Sequence, residues 1–442
     1  MYNKNPLSKQ HKLQTFIKSV RLLFNKELLI GQYFLLFILG MNISSGHDSY
    51  NEFRIFQVTL LLVIGVSTWC YRRLFITKLE LLFFAFIAFG SFFWQQPIFV
   101  LTDVLLVYLL YKSFYLLNYQ PLLSKLIVLS SLLIFLLLPV ALWNYIDTGK
   151  YSPIWYPLPW NMRVYDSYFL IISIFAVWFY LTEKQYRFLY LLFLFLAFLA
   201  VLLDGGRSVT LAYTVFIAII SLFHRRARWR LVLMYAMSWL TYIIVTYTAN
   251  TSVTSLRIAR DTRSDRYDLW TNAFQCWSQH PLFGCGFYQL DKYPNIAAHP
   301  HNLFIQVLTE TGLIGFGFLA FIIFKVAKNI NWDLKQNYFV IAALLAISID
   351  MSLSGVHIYP VTQISLLWLF VFLLKNSEFS HAQYFIRAEN TGTVVEKYLA
   401  ITIYVIIAIA FLYIFINTTV IANNEFLILP SPRFWRDGYK LF

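Results

Sequence analysis

The 442-residue chain is 59% hydrophobic and 19% aromatic, with only 13% charged residues and a formal net charge of +14. A soluble domain of this length carries about a quarter charged residues, so the composition excludes an ordinary water-soluble fold. It also makes membrane topology a better account of the basic excess than nucleic-acid binding.

Basic residues from Lys4 to Lys26 precede the first apolar run, without a short apolar core and small-residue cleavage site. No removable signal peptide is therefore read there. Apolar runs follow at 28–44, 55–70, 79–95, 98–112, 123–145, 167–182, 188–203, 208–223, 231–247, 303–324, 338–356, 361–374 and 398–416. Lipid leaves only helices and closed barrels as spanning structures. Continuous runs rather than strict alternation predict an all-α polytopic bundle of about 12–13 transmembrane helices.

Lys and Arg concentrate in alternate connections, at Lys4 to Lys26, Arg72/Arg73/Lys78, Arg225/Arg226/Arg228/Arg230 and Lys325/Lys328/Lys335. This asymmetry predicts a cytoplasmic N-terminus. The organisation expected is an N-terminal bundle over 1–247, one large outer loop over 248–302, and further spans with a short tail over 303–442. Cys276 and Cys285 fall on that loop, where they could be bridged, although two cysteines nine residues apart are more often unpaired.

Several arginines lie on the outer side, where topology disfavours cations: Arg54, Arg163, Arg207, Arg257, Arg260, Arg263, Arg266, Arg433 and Arg436. Retaining them there points to an anionic ligand. Guanidinium groups bind phosphate oxygens in pairs and stay charged. Arg257, Arg260, Arg263 and Arg266 recur every third residue, but Asp261, Asp265 and Asp268 interleave with them, as on a self-paired solvated helix. Arg266 differs, because Tyr267, Leu269 and Trp270 follow it, as in a helix docked on the membrane surface.

Asp204-Gly205-Gly206-Arg207-Ser208 breaks two apolar runs, and paired glycines favour a sharp reversal. Arg207 heads the next span, at the unfavourable positive end of a helix. It needs an anion, either Asp204 or a ligand. Further on, His299-Pro300-His301-Asn302 opens the run that contains Glu310. The supporting carboxylate or cysteine cluster of a metal site is missing there. A neutral histidine at a helix start suits a general base, whereas the plainer reading is a helix cap at the interface. Glu310 lies two turns in, on roughly the same face.

In order, the sequence holds Gly206-Arg207-Ser208 heading a span, Arg266 with Trp270, His280-Pro281-Leu282-Phe283-Gly284-Cys285-Gly286, and Pro300-His301-Asn302. Glu310-Thr311-Gly312-Leu313-Ile314-Gly315 completes the series. This order resembles the superfamily of O-antigen ligases, O-antigen polymerases and bacterial O-oligosaccharyltransferases, over about residues 200–324. The resemblance implies an inner-membrane enzyme that transfers a glycan from undecaprenyl pyrophosphate to an acceptor hydroxyl on the periplasmic face, with no metal or other cofactor. It implies His301 as catalytic residue, and Arg207 and Arg266 as pyrophosphate ligands. Arg163, His299, Asn302, Glu310, His47 and Glu52 are supporting candidates.

The stretches His47-Asp48-Ser49-Tyr50-Asn51-Glu52 and Pro432-Arg433-Phe434-Trp435 are loosely similar to pieces of members that glycosylate proteins, pilins among them. The acceptor implied is therefore a protein Ser/Thr or lipid A-core. An O-antigen polymerase is the alternative enzyme, and a transporter of lipid-linked glycans the alternative outside enzymes. Transporters commonly carry inverted repeats, and no span-length repeat stands out in the sequence.

Overall fold

The computed structural model describes residues 30–34, 50–71, 78–93, 97–116, 121–157, 162–249, 266–286, 290 and 299–376, with isolated positions between 394 and 413 and the pair 434–435. Among these residues the chain forms helices and no strand. They are α1 (Tyr50–Tyr71), α2 (Lys78–Gly90), α3 (Pro97–Leu116), α4 (Pro121–Ser131), α5 (Leu138–Thr148) and α6 (Met162–Thr182). There follow α7 (Arg187–Asp204), α8 (Arg207–Phe223), α9 (Arg228–Thr248), α10 (Arg266–Gln279), α11 (Leu303–Asn329), α12 (Leu334–Leu353) and α13 (Pro360–Asn376).

Each apolar run read between residues 55 and 374 coincides with one of these helices. The run at 123–145 is a single 28-residue rod, α4 and α5 joined through the 3₁₀ stretch Leu132–Leu137. Pro139 explains the changed winding there, since it supplies no N–H to the preceding turn. Among the described residues, six helices are long and apolar enough to cross a membrane, and α8 and α13 are shorter apolar helices. The runs at 28–44 and 398–416 fall largely outside the described residues.

The chain is inside-out relative to a soluble protein. Leu136, Trp143, Phe188, Trp229, Leu233 and Ile244 are exposed, as lipid-facing side chains should be. The centre is α6, whose length from Val164 to Tyr180 is buried apart from Trp178. It packs on α4, α7 and α13, while α8 lies along α12. Aromatic stacking fills the seams, as between Phe135 and Phe169 and between Phe198 and Tyr213.

Arg54 corrects one expectation. α1 begins at Tyr50, earlier than the run at 55–70, so Arg54 is inside a helix and 1% exposed rather than in an outer loop. It donates to the Phe434 and Ile358 carbonyls, the Gln57 and Gln363 amides, and the Tyr50 hydroxyl. These five acceptors are neutral, and they tie α1 to residues 358, 363 and 434.

Candidate functional site

Five helix ends build the site, the end of α7 and the starts of α6, α8, α10 and α11. α7 stops at Asp204, Gly205 takes the left-handed conformation at φ 69°, and α8 starts at Arg207. This two-residue reversal is what the glycine pair requires. Beneath it, the Asp166 carboxylate sits so close to Gly206 that a Cβ there would meet Oδ2 at 2.6 Å. Asp166 also accepts from Arg163 of the first turn of α6 (3.1 Å). Asp204 is fully buried and accepts from the hydroxyls of Tyr151 (2.8 Å) and Tyr156. Buried acid is thus tied down beneath the exposed head of Arg207 and the half-exposed head of Arg163.

α10 begins at Arg266 and carries Trp270, whose indole N–H donates to the Pro300 carbonyl (2.9 Å). This bond holds the His-Pro-His segment against the arginine helix. Asn302 caps α11, its Oδ1 accepting from the N–H groups of Phe304 (2.9 Å) and Ile305 (3.0 Å), as an N-cap should. The helix-cap reading of this segment therefore belongs to Asn302. His301 is left one residue outside, at φ 51°. A left-handed non-glycine residue is held against its preference. Its N–H donates to Nδ1 of the buried His299 (3.3 Å), and the two rings lie 4.2 Å apart edge-on.

A second clamp joins α10 to α11. Cys276 and Cys285 form a disulfide with Cα atoms 6.0 Å apart, against the expectation of unpaired cysteines. Spacing alone did not reveal it, because the segment after α10 folds back beside α11. There Cys285 N–H donates to Thr309 O (2.9 Å), and Leu313 N–H to Pro281 O (2.9 Å). These bonds are available because α11 is broken at Gly312, at φ 67° and ψ −167°. Gly284, at φ 75°, packs directly on that break, and a Cβ on it would lie 2.6 Å from Gly312 N.

Gly312→Ala combines a left-handed backbone with a backbone clash, and its expected outcome is loss of folded protein by several kcal/mol. Thermal denaturation in detergent checks it. A variant as stable as the parent would show that the break is not needed.

The electrostatics place Arg163, Arg207, Arg266, Asp350 and His301 in one field. Burial first, and then the charges of Arg163 and Arg207, lower the Arg266 pKa, while Asp350 opposes them. Burial first, and then Arg266, depress the His301 imidazole from 6.5 to about 4. Two other outer arginines read from sequence, Arg163 and Arg207, therefore lie within electrostatic range of Arg266, which in turn acts on an imidazole that is neutral at neutral pH. Glu310 is buried, and its Oε2 accepts from Gln306 (3.3 Å).

Glu52 lies in the first turn of α1, half-buried. His47, Arg257, Arg260, Arg263, Arg433 and Arg436 lie outside the described residues. Among the described residues, no three His, Cys, Asp or Glu side chains converge as a metal site.

Sequence reasoning passed over Asp166 and Asp350. Asp350 lies inside the run read at 338–356 and Asp166 directly before the run read at 167–182, and charge at such positions marks function by default. Asp350 lies near Ser167 and Ser354 and within electrostatic range of Arg266.

No curated protein matches the chain. Residues 192–320, from within α7 to within α11, match the family model described as O-antigen ligase. That stretch contains Arg207, Arg266, His301 and Glu310, so the chain is a multi-pass membrane protein bearing an O-antigen ligase family domain, which is a domain of the glycan-transferase type.

Proposed function

We propose that the chain transfers a glycan from undecaprenyl pyrophosphate to an acceptor hydroxyl on the periplasmic face of a bacterial inner membrane. The observation that carries this reading is Arg266 acting on a neutral His301, with Arg163 and Arg207 within electrostatic range of Arg266. Mutually repelling guanidinium groups held at helix ends make a site for concentrated negative charge, and a diphosphate supplies it.

His301 removes the proton of the acceptor hydroxyl. The acceptor oxygen attacks the anomeric carbon, and the bond from that carbon to the pyrophosphate oxygen breaks. The bonding electrons leave on the diphosphate, where the arginines stabilise them. Direct attack inverts the anomeric configuration.

The Cys276–Cys285 disulfide supports a loop facing an oxidising compartment. A protein acceptor, such as a pilin, is favoured over lipid A-core by one contact. The stretches around Tyr50 and Phe434, both similar to pieces of protein-glycosylating members, meet at Arg54.

The test is purified chain in liposomes with undecaprenyl-pyrophosphate glycan and, separately, a pilin-like protein or lipid A-core, read by mass spectrometry. Glycan on a Ser or Thr is expected. Glycan on lipid A-core would replace the protein acceptor, and elongation on the lipid carrier would make the chain a polymerase. Glycan movement without a new covalent bond would overturn the whole reading.

A further inference from the structure

The head of α11 is braced from behind by the turn 354–359 between α12 and α13. On one side of His301, the His299 ring lies over Gly355, where a Cβ would be 2.6 Å from its Cε1. On the other side, His357 Nε2 is hydrogen-bonded to Gln306 Oε1 (2.9 Å). The Gln306 amide nitrogen donates to Glu310, so its oxygen faces the histidine and His357 is the donor at Nε2. The turn therefore touches the chain both two residues before His301 and five residues after it.

The turn is itself fixed from outside. Gln363 Nε2 donates to the His357 carbonyl (3.0 Å), and Arg54 donates to the neighbouring Ile358 carbonyl (2.8 Å). Arg54 also donates to Gln363 Oε1 (3.0 Å) and, through Nε, to the Phe434 carbonyl (2.7 Å), with the Phe434 ring 5.0 Å from its guanidinium carbon. One buried cation thus links the C-terminal tail, α13 and the turn. A buried network of this kind rigidifies when its members are satisfied. These residues also border a cavity of about 310 Å³ otherwise lined mainly by apolar side chains of α2, α3 and α11.

We propose that Arg54, Gln363, His357 and Gln306 are positioning residues that set the placement of His301, and that the tail takes part through Phe434. The inference rests on the assignment of His301 as the base. None of the four needs to touch substrate. Their effect is exerted by holding Gly355 against His299 and Gln306 in register, since a displacement of about 1 Å at a reacting group costs on the order of 10²-fold in rate.

The experiment uses the full chain in liposomes with undecaprenyl-pyrophosphate glycan and the acceptor on which the wild type is active. His357→Ala and Arg54→Gln are expected to lower kcat by about 10–100-fold with donor KM changed less than about threefold. His357→Gln keeps an N–H donor toward Gln306 and should recover most of the rate. The double variant of Arg54→Gln with His357→Ala should lose less than the product of the single losses, because both act through one turn.

Unchanged kcat, equal loss in His357→Gln and His357→Ala, or fully multiplicative losses would each overturn the proposal. Hydrogen exchange gives a readout free of catalysis: amides at 301–306 should exchange faster in His357→Ala than in wild type. Were the wild type to transfer nothing, the functional reading would fail, and exchange would still decide the brace. Unaltered exchange at those amides would sink it.

Discussion

His301→Asn is expected to lower glycan transfer by about 10²–10⁴-fold, the range supplied by a positioned general base, while membrane insertion and abundance stay at parent level. Asparagine is the informative replacement because it tolerates the left-handed backbone that residue 301 adopts at φ 51°. Alanine would mix loss of the base with backbone strain. The pH profile identifies the group. Burial and then Arg266 hold the imidazole at about 4, below its ordinary 6.5, so the base form persists through neutral pH and is lost as pH falls through about 4. The acid limb of kcat/KM should therefore lie near 4 in the parent and vanish from the residual activity of His301→Asn. Transfer assays from pH 3.5 to 8 check this. A limb near 6.5, or full activity in the variant, would remove His301 from the role of base.

Much of the architecture is legible in the sequence because the bilayer imposes a strong and local signal. Each long apolar run must satisfy its own backbone, and so it becomes a helix whatever its neighbours do. The site is legible only in part. Arg207 and His301 stand at ends of apolar runs, where a charge or a polar break has few structural excuses, and the glycine pair beside Arg207 announces the reversal. Asp350 is hidden by its apolar surroundings, since a single acid scarcely changes the hydropathy of a run, and Asp166 because α6 begins at Met162, five residues before the run read at 167–182.

Arg54 misleads for the opposite reason. Its position directly before an apolar run reads as a loop, yet α1 gains a turn at its start and buries the guanidinium against carbonyls contributed from positions 358 and 434. Partners some 300 and 380 residues away leave no local trace. The Cys276–Cys285 bond is hidden likewise, because it depends on chain folding back along α11 at Gly312.

Arg207→Gln and Arg266→Gln should each reduce transfer by about 10²–10³-fold, the usual effect of removing one group that stabilises developing charge. Lysine at either position should recover only part of the loss, since an ammonium keeps the charge but not the paired donors. The two glutamine variants differ at the histidine. Arg266 is the charge that depresses His301 after burial, and Arg207 has no such effect resolved.

Arg266→Gln should therefore move the acid limb of kcat/KM upward from about 4, though not as far as 6.5, because burial is the larger cause and persists. Arg207→Gln should lower the rate and leave the limb in place. The diphosphate of the bound donor adds the reverse perturbation, because its negative charge offsets Arg266. The limb of kcat in the parent is accordingly expected above that of kcat/KM. Should both arginine variants shift the limb equally, or neither lose rate, the arginines would not hold the separate places beside His301 that this chemistry requires.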